Sequence, residues 1–393
     1  STYLKMGFQL DGDRFFYINE LQKQKLANHF GSCRYIYNHF LNERKETYLN
    51  EKKSLNYYDQ AAKLTKLKEK LDWLYETNSQ ALQFELKCLE AAYNNFFKHK
   101  KKFPKFHSKH DKQNFTIPEK IKINDNKLYF FKFKEGIKIK LHREIQGKIK
   151  KATVSMNQTG QYYVCILTER EIQKLKPIKR EIGIDLGITN LATPSIGKPY
   201  PNIRPYKTLE KRLKVLQQSL TRKKLKSNNR NKARKKLAKL HLKIANIRNN
   251  HLHQISKKII NENQVICLET LNVKGMMKNH YLAKSIADVS LSELARQIEY
   301  KADWYGRNVI KIDKWFPSSK MCSSCNYVIE SLPLNVRSWN CPKCEAKHDR
   351  DKNAAKNIYK EGKRTVGITG LACGLDVRLK GNQQQLRMKQ EIY

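Results

Sequence analysis

The stretch that decides the reading runs Cys322-Ser323-Ser324-Cys325, fifteen residues, Cys341-Pro342-Lys343-Cys344, then His348-Asp349-Arg350-Asp351-Lys352-Asn353-Ala354-Ala355-Lys356-Asn357-Ile358. Two CxxC pairs at this separation are the sequence form of a four-thiolate zinc site. Each pair supplies two sulfurs from one tight turn, so Cys322, Cys325, Cys341 and Cys344 are expected to close round one tetrahedral ion. Four thiolates leave no open coordination position, which makes the expected zinc structural. The run that follows is acidic and then Ala-rich, the beginning of a helix. Taken alone, Asp349 or Asp351 reads as an N-cap, since a carboxylate there accepts from free amides. Only the rest of the chain makes one of them a catalyst.

The surrounding chain has 393 residues, room for two or three domains, and sets 79 Lys+Arg against 36 Asp+Glu for a formal net charge of +43. Such a charge opposes compaction unless a polyanion neutralises it, and nucleic acid is the natural counterpart. There is no run of eighteen apolar residues and no charged-apolar-small leader, so no membrane partner is expected. Nine cysteines, four of them in the paired motif and the rest scattered (Cys33, Cys88, Cys165, Cys267, Cys373), fit a reducing cytoplasm rather than disulfides.

Taken in order, residues 3–17 read as a strand and a turn at Asp11-Gly12-Asp13, and residues 18 to about 97 as helical. From Tyr93 to Phe115 aromatics interleave with bases, among them Tyr93, Phe97, Lys101, Lys102 and Lys105. Phosphates want the cations and unstacked bases want the flat rings. Residues 115–170 alternate and are rich in β-formers, a small barrel or sheet into which the first strand inserts. From Arg180, Glu181-Ile182-Gly183-Ile184-Asp185 is an apolar strand with one carboxylate inside, which needs a cation or metal as partner. Residues 207–260 read as two basic helices joined near Ser227-Asn228-Asn229-Arg230, with Arg230, Arg234 and Lys235 on a phosphate-facing side. Val265-Ile266-Cys267-Leu268-Glu269 repeats the pattern of Asp185. The end of the chain, residues 361–393, is Gly- and Gln-rich and is expected to be disordered.

Asp185, Glu269 and Asp351 thus stand at three element ends in the later part of the chain. Three carboxylates suit two hard cations such as Mg²⁺, which about 4 Å apart can bind an attacking water and a leaving 3′ oxygen together. With a strongly cationic surface, the set points to phosphodiester hydrolysis. No Ser-His-Asp set, Walker loop or Rossmann glycine pattern competes.

The order Gly183-Ile184-Asp185-Leu186-Gly187, Leu268-Glu269-Thr270-Leu271, CxxC…CxxC, Asp349-Arg350-Asp351-Lys352-Asn353-Ala354-Ala355-Lys356-Asn357-Ile358 resembles the TnpB proteins of bacterial insertion sequences. Gly31-Ser32-Cys33-Arg34-Tyr35-Ile36-Tyr37-Asn38, Asn78-Ser79-Gln80-Ala81-Leu82-Gln83, Tyr93-Asn94-Asn95-Phe96-Phe97 and Ser318-Ser319-Lys320 also look like the family's motifs, so the likeness covers most of the chain. The resemblance implies an RNA-guided double-stranded DNA endonuclease, related to type V CRISPR effectors, with a RuvC-like nuclease of the RNase H fold. It implies Asp185, Glu269 and Asp351 as ligands of two Mg²⁺ ions and a transposon-end-derived guide RNA that selects the target by base pairing. It also implies nucleic-acid contacts at Arg34, Ser318, Ser319 and Lys320. One departure stands out: Gly12-Asp13-Arg14-Phe15-Phe16 lies where the family usually shows a Tyr-Pro pair. Two other readings compete: a nuclease-inactive RNA-guided repressor, and a transposase accessory acting on transposon ends.

The expected fold is therefore an α/β multidomain chain. Residues 1–16 and 115–178 form a β-barrel (wedge) domain, and 17–114 its helical recognition insertion. Residues 179–316 and 348–360 form the RuvC-like nuclease domain, with 317–347 as an inserted zinc ribbon.

Overall fold

A computed structural model describes residues 2–9, 18–99, 101–141, 144–333 and 335–368, the first segment by its backbone alone. The turn at residues 11–13, the departure at 12–16, Lys100 and Cys373 lie outside the described residues. The chain divides into two compact units, residues 1–172 with 219–239, and residues 173–218 with 240–393.

The first unit begins with strand β1 (Thr2–Gln9) and helix α1 (Glu20–Glu51). Asn19 starts α1 by accepting from the Gln22 amide at 2.7 Å, and Lys52 ends it in the left-handed region at φ 54°. Leu26, Phe30, Cys33, Tyr37 and Phe40 recur at three- and four-residue intervals, so one stripe of α1 is buried. Helix α2 (Tyr57–Lys70) opens on an Asn56/Asp59 capping box. Helix α3 (Ser79–His99) opens on Asn78, whose side chain accepts from the Gln80 and Ala81 amides. Strands β2 (Gln113–Ile117), β6 (Lys148–Met156) and β7 (Tyr162–Arg170) complete a four-stranded antiparallel sheet with β1, in the order β1-β7-β6-β2. The first strand inserts as expected, with Thr2 opposite Arg170 and Gln9 opposite Tyr163.

The small barrel or sheet expected here takes the form of two sheets among the described residues. Strands β3 (Lys122–Asn124), β4 (Lys127–Phe130) and β5 (Phe133–Lys138) pair only with one another. Left-handed residues Asp125, Asn126 and Lys132 fold them into consecutive tight hairpins, which uses their edges locally.

In the second unit, strands β8 (Glu181–Asp185), β9 (Asn190–Pro194), β10 (Tyr200–Pro201), β11 (Val265–Glu269) and β12 (Asn308–Ile312) form one sheet in the order β10-β9-β8-β11-β12. Strand β11 runs parallel to both β8 and β12. The basic helices α4 (Pro205–Thr221) and α5 (Asn228–Glu262) separate β10 from β11. Helices α6 (Val273–Met276), α7 (His280–Val289) and α8 (Leu291–Tyr305) precede β12.

Strand alternation sorts the two sheet faces. Ile182, Ile184, Ile266 and Leu268 pack with Ile259 and Ile260 of α5 and with Leu291, Leu294 and Ile298 of α8. On the other face Cys267 meets Ile358 and Tyr359 of helix α9 (Arg350–Ile368). That face is bare enough for close approach because Gly183 and Gly362 have no side chain. A Cβ at Gly183 would lie 2.2 Å from the Ala355 carbonyl oxygen, and one at Gly362 would lie 2.4 Å from Cys267 Sγ.

Helix α9 corrects one expectation. Residues 361–368, assigned to a disordered tail, continue the helix. Glu361 accepts from Arg364 at 2.7 and 2.8 Å, and Gly362 packs on Cys267, so this last stretch has both a pairing and a packing reason to stay helical. Residues 369–393 lie outside the described residues.

Two glycine substitutions should move stability in opposite directions. Gly183→Ala drives a methyl group into backbone and is expected to cost about 1–3 kcal/mol. Gly31→Ala, with nothing within 4 Å of the new methyl in mid-helix, should gain about 0.5–1 kcal/mol. Chemical denaturation of the two variants checks both signs.

Candidate functional site

Asp185 is the last residue of β8 and Glu269 the last of β11. The strands are parallel, and Ile184 stands opposite Leu268, so both carboxylates leave the same end of the sheet on adjacent strands. Asp351 arrives from a third direction, in the first turn of α9. The two acidic residues before the Ala-rich run take different work. Asp349 Oδ1 accepts from the Lys352 amide at 2.8 Å and caps the helix, which leaves the Asp351 carboxylate to other partners.

Convergence shows in the electrostatics. Burial, then the negative charges of Glu269 and Asp351, push the Asp185 carboxyl well above the usual carboxylate range, and Arg350 and Arg337 only partly offset this. Burial alone pushes Glu269 up to about 7. A cluster in which two strand-end carboxyls favour the protonated form is short of positive charge.

Arg337 is a residue that sequence reading missed. Its Nη1 lies 3.5 Å from Asp351 Oδ1, and its Nη2 donates to Thr189 Oγ1 at 3.0 Å. More than half of its side chain is exposed. It is brought there by two short strands, β13 (Ser338–Asn340) and β14 (Lys347–Asp349), which pair antiparallel, and by the Arg350 amide donating to the Arg337 carbonyl at 2.8 Å. Nothing in its residue type marks it out from the other basic residues of the chain.

The four cysteines of the paired motif come together, with all four Sγ atoms within 4.8 Å of one another. Cys322 and Cys344 are 3.6 Å apart, and Cys325 and Cys341 are 3.5 Å apart. Thiolates about 2.3 Å from a tetrahedral zinc stand roughly 3.8 Å from each other, so the donor set and its spacing fit one such ion. His348, missed as a participant, places Nε2 3.0 Å from Cys322 Sγ and packs on Trp339. Burial opposes ionisation of Cys322, but the amides of Cys325 and Ser324 and the His348 ring hold its thiol down to about 5.

The expected nucleic-acid residues divide. Phe97 is 68% exposed, and Lys101, Lys102, Lys105, Arg234 and Lys235 are exposed. Tyr93 stacks near Phe97 and lies under Arg44, whose guanidinium carbon is 4.9 Å from the ring. Arg34 donates to Gln113 at 2.8 Å, and Arg230 donates to the Leu220 and Lys223 carbonyls, bracing the turn between α4 and α5. Ser318 is buried, and its carbonyl accepts from Asn357 Nδ2 at 2.8 Å. Ser319 is half-buried, and Lys320 reaches the Glu330 carbonyl at 2.8 Å. No helix among the described residues is long and apolar enough to cross a membrane.

Comparison with known proteins covers both units. The OrfB_IS605 model, described as a probable transposase, matches residues 163–280. A Cas12f1-like TNB domain model matches residues 292–358, and a helix-turn-helix domain model of the OrfB group matches residues 15–53. Residues 20–51 of that last match form one uninterrupted helix here. A protein of Streptomyces pristinaespiralis named "Putative RNA-guided DNA endonuclease" is 36% identical over 371 residues, covering 92% of this chain and 90% of its own. "Putative RNA-guided DNA endonuclease InsQ" of Escherichia coli (strain K12) is 30% identical over 372 residues, 90% of this chain and 91% of its own. Among solved structures, a chain of the "Cryo-EM structure of the Cas12f1-sgRNA-target DNA complex" is similar with a TM-score of 0.56 at 15% identity, over 86% of this chain and 82% of that one. That likeness speaks to fold.

The carboxylate site makes a signed pH prediction. The unfolded chain releases the Glu269 proton near pH 4.5 and the folded protein near 7, so stability should fall as pH rises through that window. In magnesium-free buffer, Glu269→Gln should flatten this slope; equal slopes in denaturation series for the two proteins would refute it.

Proposed function

We propose, since this chain belongs to the TnpB family, that it is an RNA-guided endonuclease of double-stranded DNA whose single nuclease site is Asp185, Glu269 and Asp351. The observation that carries the proposal is the delivery of two carboxylates from adjacent parallel strand ends towards a third on α9, with burial and mutual repulsion raising their affinity for cations. Parallel strands β8, β11 and β12 with the antiparallel β9 beside them support an RNase H-like, RuvC-type nuclease fold. The names of the two relatives, each matched over nine-tenths of this chain, support the RNA guide and the DNA substrate. The two sheets of the first unit, with helices α1 to α3, would serve as wedge and recognition elements for the guide.

Asp185, Glu269 and Asp351 would hold two Mg²⁺ ions, since oxygen donors of this kind suit that cation. When bound, the pair would supply Lewis-acid stabilisation of both the entering and the leaving oxygens. The chain's own residues do the positioning. β8 and β11 fix two carboxylates rigidly, and the Asp349 cap fixes the first turn that carries the third. Arg337, in reach of Asp351 and largely exposed, would turn its free donors to the scissile phosphate as charge develops there. The four cysteines would hold one structural zinc, and Arg234 and Lys235 would meet nucleic-acid phosphates.

A nuclease-inactive RNA-guided binder would not need the three carboxylates, and their retention favours the nuclease. A transposase accessory would act on transposon ends without RNA.

Asp185→Ala should abolish magnesium-dependent cleavage of a matched plasmid by the purified ribonucleoprotein while leaving guide-RNA affinity within twofold. Undiminished cutting sinks the site assignment, and cutting that survives RNase treatment of the wild type favours the transposase reading. Arg337→Ala should slow single-turnover cleavage about 10²-fold, with Arg337→Lys intermediate. For the basic helices, replacing Arg234 and Lys235 together with Ala should reduce the salt slope of RNA binding by about two, one for each phosphate no longer neutralised.

A further inference from the structure

Two asparagines of α9 do something that neither the carboxylates nor the cysteines account for. Asn353 Oδ1 accepts from the Ser323 amide at 2.9 Å, and its Nδ2 donates to the Met321 carbonyl at 2.7 Å. One turn further on, Asn357 Nδ2 donates to the same Met321 carbonyl at 2.6 Å and to the Ser318 carbonyl at 2.8 Å. Lys360 continues the row, its Nζ on the Ser323 carbonyl. Residues four and three apart lie on one face of a helix, so this is a polar stripe along α9 gripping residues 318–323. Both asparagines are all but fully buried, at 2% and 1% exposure.

The gripped segment contains Cys322, so the backbone on either side of the first thiolate is bolted to the helix that carries Asp351. The second CxxC pair is tied to the same helix from the other side. Cys341 and Cys344 lie between β13 and β14, and β14 runs straight into Arg350, whose amide and Nη1 donate to the Arg337 and Pro333 carbonyls. Asp351 therefore sits in the one turn where the two halves of the cysteine cluster meet α9. The opposite face of α9, with Ala355, Ile358 and Tyr359, lies on the sheet that holds Asp185 and Glu269.

We propose that Asn353 and Asn357 are positioning residues that couple occupancy of the four-cysteine site to the placement of Asp351. An ion on the cysteines would fix residues 322–325 and 341–344, the asparagines would transmit that order to the first turn of α9, and Asp351 would be held towards Asp185 and Glu269. The proposal rests on the reading of Asp351 as a nuclease residue for its functional consequence, but not for the coupling itself. Coupling between two sites is reciprocal, so loosening α9 must also loosen the ion.

The test uses the full-length protein with its guide RNA and reads two things besides cleavage. First, release of zinc to a chromophoric chelator should quicken by about 10- to 100-fold in Asn353→Ala and in the double variant Asn353→Ala/Asn357→Ala, as is usual when groups supporting metal ligands are removed. Second, chelation of the wild type should speed hydrogen exchange of the Lys352 amide, while in the double variant exchange is already fast and chelation adds nothing. Cleavage by the double variant should require about tenfold more magnesium for half-maximal rate, with guide-RNA binding within twofold. Asn353→Asp, which keeps the acceptor for Ser323 and loses the donor to Met321, should fall between wild type and Ala on every reading. If chelation leaves Lys352 exchange in the wild type unchanged, or zinc release is unaltered in the double variant, the coupling does not exist. If both hold while Asp351→Asn cleaves normally, the coupling stands and the role given to Asp351 is wrong.

Discussion

Mutual repulsion is the constraint on which the second unit depends. Three carboxylates that would each be better solvated in open water are brought to one place by elements that cannot easily yield. Two are fixed by the register of adjacent parallel strands, β8 and β11. The third is fixed by a helix that comes so close to the sheet that a side chain at position 183 would strike the Ala355 carbonyl and one at 362 the Cys267 side chain. An isolated loop could relax away from the charge; a strand end in a parallel ladder and a helix seated on glycines cannot. The rise of the Asp185 carboxyl, from burial first and then from the charges of Glu269 and Asp351, is the electrostatic sign of that crowding.

The cysteine module has the same character on a smaller scale. It has little apolar core of its own, Trp339 with Cys322 and Cys341 and a few partly buried neighbours, so an ion on the four cysteines, together with α9, would supply its order. This is why the Ala-rich run carries two asparagines. Ala354 and Ala355 let the helix lie against the sheet, and Asn353 and Asn357 serve the other side. One helix thereby has three clients, the sheet, the module and the acidic site. Each is served by a different face or end.

Much of this was legible in the sequence. The paired CxxC spacing specified the cysteine cluster, and a lone acid closing a short apolar run marked Asp185 and Glu269 as strand ends. The capping signature before the Ala-rich run located α9; its two aspartates are chemically alike, so it took the family resemblance to single out Asp351, and the Asp349 to Lys352 hydrogen bond shows the other as the cap. What stayed hidden is whatever depends on pairing register. Arg337 and His348 owe their places to the alignment of β13 with β14, which two three-residue strands do not advertise. The Ser318 carbonyl is held by Asn357, far along the chain, and the stretch 361–368 looked polar because its anchoring residue is a glycine. The separate three-stranded sheet was hidden for a similar reason, as left-handed turns at Asp125, Asn126 and Lys132 decide which strands can pair.

The distance along the chain between the first and last carboxylates has a consequence for biosynthesis. β8 carries Asp185, but Asp351 lies far later, beyond two basic helices, several strands and the whole cysteine module. If the three acids form the nuclease site proposed above, a nascent polypeptide on the ribosome would hold an incomplete set until residue 351 had emerged, since domains form in the order in which they are made. A nuclease arranged in this way would be harmless until the helix that carries its last acid had been made.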